Sequence, residues 1–106
     1  MNGAAGLIGI CCRAGKLAIG AQAVREQLKS GAARLLLVDG GASPNTRKEF
    51  ADASAYRKVK IAFLPAGMLG EAAGRPGRMA AAVLDEKLAD GIEKYVGTTT
   101  ENAGVH

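Results

Sequence analysis

The sequence predicts an α/β fold, a layered sandwich with helices on both faces of a sheet. Three observations carry that expectation. Leu35-Leu36-Leu37-Val38 and Met79 to Leu84 are uninterrupted apolar runs, the mark of central strands covered on both faces. Segments of helical period separate these runs, and glycines punctuate the boundaries. Apolar residues make up 48% of the chain but aromatics only 4%, and much of the rest is alanine. Small side chains let helices approach a sheet closely, so the core should be thin and rest on Leu, Ile and Val.

Taken in order, residues 3–13 read as a first helix, with Leu7, Ile8, Cys11 and Cys12 on one face, Arg13 in the last turn and Gly15 beyond it. Lys16 to Ile19 allows only a brief strand before Gly20. Residues 21–30 read as a second helix that buries Ala21, Val24 and Leu28 and ends at Gly31. Residues 34–38 form a strand, and Asp39-Gly40-Gly41 a turn. Ser43 suits an N-cap with Pro44 at the first helical position, and that helix reaches about Tyr56. Val59 to Leu64 is a strand stopped by Pro65. Met68 to Ala73 is a short helix closed by Gly74, and Arg75-Pro76-Gly77-Arg78 is a tight loop. After the run ending at Leu84, Asp85 caps a last helix carrying Leu88, Ile92 and Tyr95. Residues 98–106 lack periodicity and are expected to form a frayed tail after one domain spanning 1–97.

A chain of 106 residues is one domain in size. The net charge of +4 leans toward a polyanion without demanding one. Cys11 and Cys12 are neighbours on a helix, about 100° apart, and have no Cys or His at metal-ligand spacing. They are expected to stay reduced in a cytoplasmic protein, with at least one packed in the core. No leader and no membrane span is evident, so the membrane is not an expected partner.

The inventory for catalysis is poor. The only histidine, His106, ends the chain and cannot be held against a substrate. Ser43 and Ser54 have no histidine to activate them. Asp39 ends a central strand, where α/β folds often bind ligands, yet the adjoining glycines favour turn formation. Gly15-Lys16 lacks the rest of a phosphate loop. The chain is read as a non-enzyme without cofactor or metal.

Two segments suit binding. Gly15 to Ala23 leads into the N-terminus of the second helix, whose free N–H groups attract phosphate, and Gln22 can read a base edge. Gly74 to Met79 holds two arginines on a stiff turn, able to pair with phosphate or stack on a base. A positive face joining Lys16, Gln22, Arg25, Lys29 and Arg75–Met79 would favour RNA. A neutral or apolar patch would favour a partner protein, the alternative reading of an adaptor on the same scaffold.

The residues then carry a resemblance. Arg13-Ala14-Gly15-Lys16-Leu17, Gly20, Val24 and Lys29 to Leu35 form its opening. Ala42-Ser43-Pro44-Asn45-Thr46-Arg47-Lys48, Leu69 to Gly74, and Ala81 to Asp85 complete it. Together they resemble the L7Ae/L30e-like ribosomal protein superfamily, the kink-turn RNA binders, and most of all its short bacterial ribosomal-protein-like members. The resemblance covers about residues 4–96. It implies a three-layer α/β/α sandwich with a four-stranded mixed sheet. It also implies a ribosomal-protein-like accessory function, with ribosomal or kink-turn RNA, and ribosomal proteins, as partners.

The RNA-binding positions so implied, with those of the two segments above, are Lys16, Gly20, Ala21, Gln22, Ala23, Arg25, Lys29, Arg75, Arg78 and Met79. Archaeal members carry an Asn-Glu pair just inside the second helix and a Lys three residues after the Glu. Here those positions hold Gln22, Ala23 and Glu26, and an acid at Glu26 repels phosphate. The loop that packs beside the bent RNA corresponds to Arg75 through Met79. It is more apolar in archaeal members and basic here.

Overall fold

The leucine run forms the middle of the sheet. In the computed structural model, which describes residues 3–96, the order is α1 (Gly3–Arg13), β1 (Leu17–Ile19), α2 (Ala21–Ser30), β2 (Leu35–Asp39), α3 (Pro44–Arg57), β3 (Lys60–Leu64), α4 (Met68–Ala73), β4 (Ala80–Val83) and α5 (Glu86–Val96). The expected tail, with His106, lies outside the described residues. The strands form one mixed four-stranded sheet in the order β1-β4-β2-β3. Strand β4 runs antiparallel to both β1 and β2, while β2 and β3 are parallel. The two apolar runs are therefore the central strands, and every residue of β2 and β4 is buried.

Alternation along the strands divides the core in two. Leu35, Leu37, Ala81 and Val83 face Ile8 and Cys11 of α1, Leu69 of α4, and Ala89 and Ile92 of α5. Leu36, Val38, Ala80 and Ala82 face Val24 and Leu28 of α2 and Phe50 of α3. Helices thus cover both faces, as the three-layer expectation required.

The caps follow the sequence. The Thr46 N–H donates to Ser43 Oγ at 3.2 Å, and the Leu88 N–H to Asp85 Oδ1 at 2.9 Å. Gly31 and Gly74 close α2 and α4 in the left-handed conformation. Lys58 closes α3 in the same conformation, with φ 58°, where glycine is the usual residue. Of the three residues named for α5, Ile92 is buried, Leu88 packs partly buried against the core and Tyr95 is 63% exposed. Cys11 is fully buried, and burial, with help from Asp85 and Cys12, pushes its thiol up to about 11. That suits packing rather than reactivity. Among the described residues no helix is long and apolar enough to cross a membrane.

Candidate nucleic-acid interface

Strand β1 delivers the chain directly into α2 through Gly20. Its backbone, at φ 107° and ψ 151°, is open to glycine and hostile to any other residue. The Gly20 N–H donates to Ala80 O at 2.8 Å, which fastens this corner to β4. No side chain caps α2. The first N–H groups of the helix therefore lack an intrahelical acceptor and a capping oxygen, and they carry the positive end of the helix dipole.

The Arg75–Met79 loop reaches the same corner because β4 lies between β1 and β2. Gly74 turns the chain out of α4, and the Arg75 N–H returns to Gly70 O at 2.8 Å. The loop lies on Gly70. A Cβ there would stand 2.9 Å from Arg75 O and 3.1 Å from Pro76 Cα. Gly70→Ala is thus expected to push the loop off the helix, at a cost of about 1–3 kcal/mol. Thermal unfolding reads the loss of stability, and amide chemical shifts confined to residues 74–79 read the displacement.

The loop forms a ridge between two clefts. One, of about 270 Å³, is lined by Gly20, Ala21, Thr46, Gly77, Arg78, Met79 and Ala80. The other, of about 370 Å³, lies between the loop and Asp39, Ala66, Gly67, Gly70 and Glu71. Arg75 and Arg78 are exposed, and neither pairs with an acid among the described residues.

Asp39 anchors the arrangement. The residue is 1% exposed. Oδ2 accepts from the N–H groups of Gly41 at 2.8 Å and Gly67 at 2.9 Å, and Oδ1 from that of Leu69 at 3.2 Å. Its own N–H donates to Met79 O at 2.8 Å. Burial works to raise its pKa, but the three N–H donors outweigh it and hold the carboxyl below its ordinary value. The expected turn at Gly40-Gly41 is present, and the same carboxylate also ties the start of α4 to the sheet.

The structure brings together Gly20, Ala21, Arg78 and Met79 around one cleft, with Arg75 at the foot of the same loop and Gln22 and Ala23 on the adjoining turn of α2. It does not gather every basic residue there. Lys16 precedes β1 and Lys29 sits in the last turn of α2, both at the opposite end of the sheet. Arg25 turns to α3, donating to both Glu49 oxygens at 2.6 and 3.0 Å and lying 5.8 Å from the Phe50 ring centroid. That bidentate pair holds the Glu49 carboxyl below its ordinary value. Gln22 Nε2 donates to Glu26 Oε2 at 3.3 Å, and Gln22 Oε1 accepts from Arg25 at 3.4 Å. Thr46 was missed as a member of the cleft. Its neighbour Ser43 announced a helix start, but only the sheet order sets that start beside Gly20. Among the described residues no cluster of three His, Cys, Asp or Glu could hold a metal ion.

No family model matches the chain. It is similar to the RNA-binding protein YlxQ of Bacillus subtilis (strain 168), with 32% identity over 85 residues, covering 79% of this chain and 85% of that one. Among solved structures it is similar to a protein of unknown function from Bacillus halodurans C, with a TM-score of 0.85 at 22% identity, covering 90% of this chain and 97% of that one. It is also similar to the Giardia lamblia 15.5kD RNA binding protein, with a TM-score of 0.74 at 20% identity, covering 88% of this chain and 81% of that one. The two structures show the fold. The relationship to YlxQ shows the family, and the chain belongs to the L7Ae-like family.

Proposed function

We propose that the chain is a non-enzymatic, cytoplasmic RNA-binding protein of the ribosomal-protein-like kind, and that RNA docks where the uncapped start of α2 meets the Arg75–Met79 loop. One observation carries the reading. Two arginines that pair with no acid among the described residues stand on a ridge beside the uncapped N–H groups of α2, and a cleft lies between ridge and helix. Phosphate is the ligand that uses both features. The name of the similar YlxQ, an RNA-binding protein, supports RNA as the source of that phosphate. Gly20, Ala21 and Ala23 leave room for a backbone to approach, Gln22 reads a base edge, and Met79 offers an apolar surface beside it. Kink-turn or ribosomal RNA is the proposed partner.

The test is a titration of kink-turn RNA and unstructured RNA at two salt concentrations. Binding that weakens with salt is expected for both, with a preference for the kink-turn. Gln22→Ala should reduce that preference by about fivefold while sparing overall affinity. Glu26→Lys removes a repulsive carboxylate, frees the Gln22 amide from its bond to Glu26, and adds a cation. It should tighten kink-turn binding by about five- to tenfold, the order expected for a two-unit charge change near the surface. A protein that binds neither RNA sinks the reading and brings forward the adaptor.

A further inference from the structure

At the far end of the sheet lies a second constellation that the first face leaves unused. Arg34, Arg57 and Lys58 line a cleft of about 360 Å³ between the starts of β2 and β3 and the start of α5. Lys29 is exposed in the last turn of α2, just before Gly31 of the same cleft. None of these four cations pairs with an acid among the described residues, where the ion pairs are Arg25–Glu49, Lys48–Asp52 and Lys60–Glu93. Beside them Tyr56 is 81% exposed, and the Arg57 guanidinium carbon lies 5.6 Å from its ring centroid.

A solvated helix end explains part of this, since cations suit the negative end of a helix dipole and Lys29 and Arg57 sit at two such ends. It does not explain Arg34, which precedes a strand. It does not explain an aromatic ring left in water. Nor does it explain Lys58, which holds a left-handed backbone at φ 58° where glycine would be unstrained.

We propose that this end is a second RNA-binding surface, on which Tyr56 stacks an unpaired base and Arg34, Arg57 and Lys58 hold the flanking phosphates of a single strand. An aromatic platform flanked by cations is what single-stranded nucleic acid requires, because every base has a face to stack. Glu86 and Asp90 line the other wall of the cleft and repel phosphate, so the strand is confined to the α3 side. Lys60 neutralises Glu93 at 2.8 Å, which limits that repulsion. The first face lies at the N-terminal end of α3 and this one at its C-terminal end. A helix of 14 residues separates them by about 21 Å, so one protein clamps two RNA segments. The inference shares its partner class with the proposed function but rests on different residues.

The probe is a labelled 12-nucleotide oligouridylate, titrated into the protein alone and into its complex with kink-turn RNA. Tyr56→Ala should weaken oligouridylate binding about tenfold, and Tyr56→Phe should leave it unchanged. Lys58→Gly separates folding from binding. It should raise the melting temperature by relieving the backbone, yet weaken the oligouridylate about fivefold by removing a phosphate contact. The kink-turn complex should take the oligouridylate as tightly as the free protein does. Wild-type affinity in both Tyr56→Ala and Lys58→Gly overturns the proposal, and so does displacement of the oligouridylate by kink-turn RNA. The first face fails separately, when Arg75→Ala with Arg78→Ala leaves kink-turn binding unchanged.

Discussion

Asp39→Ala is expected to destabilise the fold by about 3–5 kcal/mol, a large share of the 5–15 kcal/mol typical of a small domain. The substitution removes one carboxylate and strands three N–H donors, those of Gly41, Gly67 and Leu69. Each orphaned donor costs about 1–3 kcal/mol when water cannot reach it freely. The effect also depends on pH. The folded pKa of Asp39 is lowered, so its contribution is complete above the unfolded value of about 3.9 and is lost as pH falls through the folded value. Denaturant titrations at pH 7 and pH 3 check this. The gap between wild type and Asp39→Ala should be wider at pH 7 than at pH 3, by up to about 1 kcal/mol. An equal gap at both would mean that the carboxylate charge does not hold the loop.

Combined Arg75→Ala and Arg78→Ala should weaken RNA binding by roughly thirty- to sixtyfold at 0.1 M salt. Each phosphate contact contributes about 0.7–0.9 to the slope of log affinity against log salt, or about five- to eightfold per contact over a decade of salt. Losing two should flatten the slope by about 1.5. Both side chains are exposed and neither is in an ion pair among the described residues, so stability should hardly move. Phosphate contacts carry no sequence information, so kink-turn RNAs of different sequence should weaken alike. Affinity measured at four salt concentrations gives the slope directly. An unchanged slope would remove the loop from the interface.

The elements were legible where one residue type decides a local conformation. Ser43-Pro44 marked the start of α3, Gly31 and Gly74 marked helix ends, and the runs at Leu35 and Ala80 marked buried strands. The resemblance supplied the mixed sheet and drew attention to both halves of the face. What stayed hidden depends on contacts distant in the chain. Arg25 looked like a free cation on the binding helix, yet Glu49, 24 residues on, claims it. Lys16 and Lys29 flank the same segment as Gly20 in sequence, but a strand and a helix carry them to the other end. Lys58 gave no sign of its left-handed turn, because lysine has no preference for it.

The strand order has a consequence for how the protein is made. Strand β1 pairs only with β4, more than sixty residues later, and the Gly20 corner is fastened to Ala80. During synthesis the first helix and strand must wait while most of the chain is produced, since a pairing so distant in sequence cannot form earlier. A chain stopped before residue 80 would contain α2 and most of the arginine loop but not the strand that joins them. Incomplete translation products would therefore lack the assembled corner between α2 and the arginine loop.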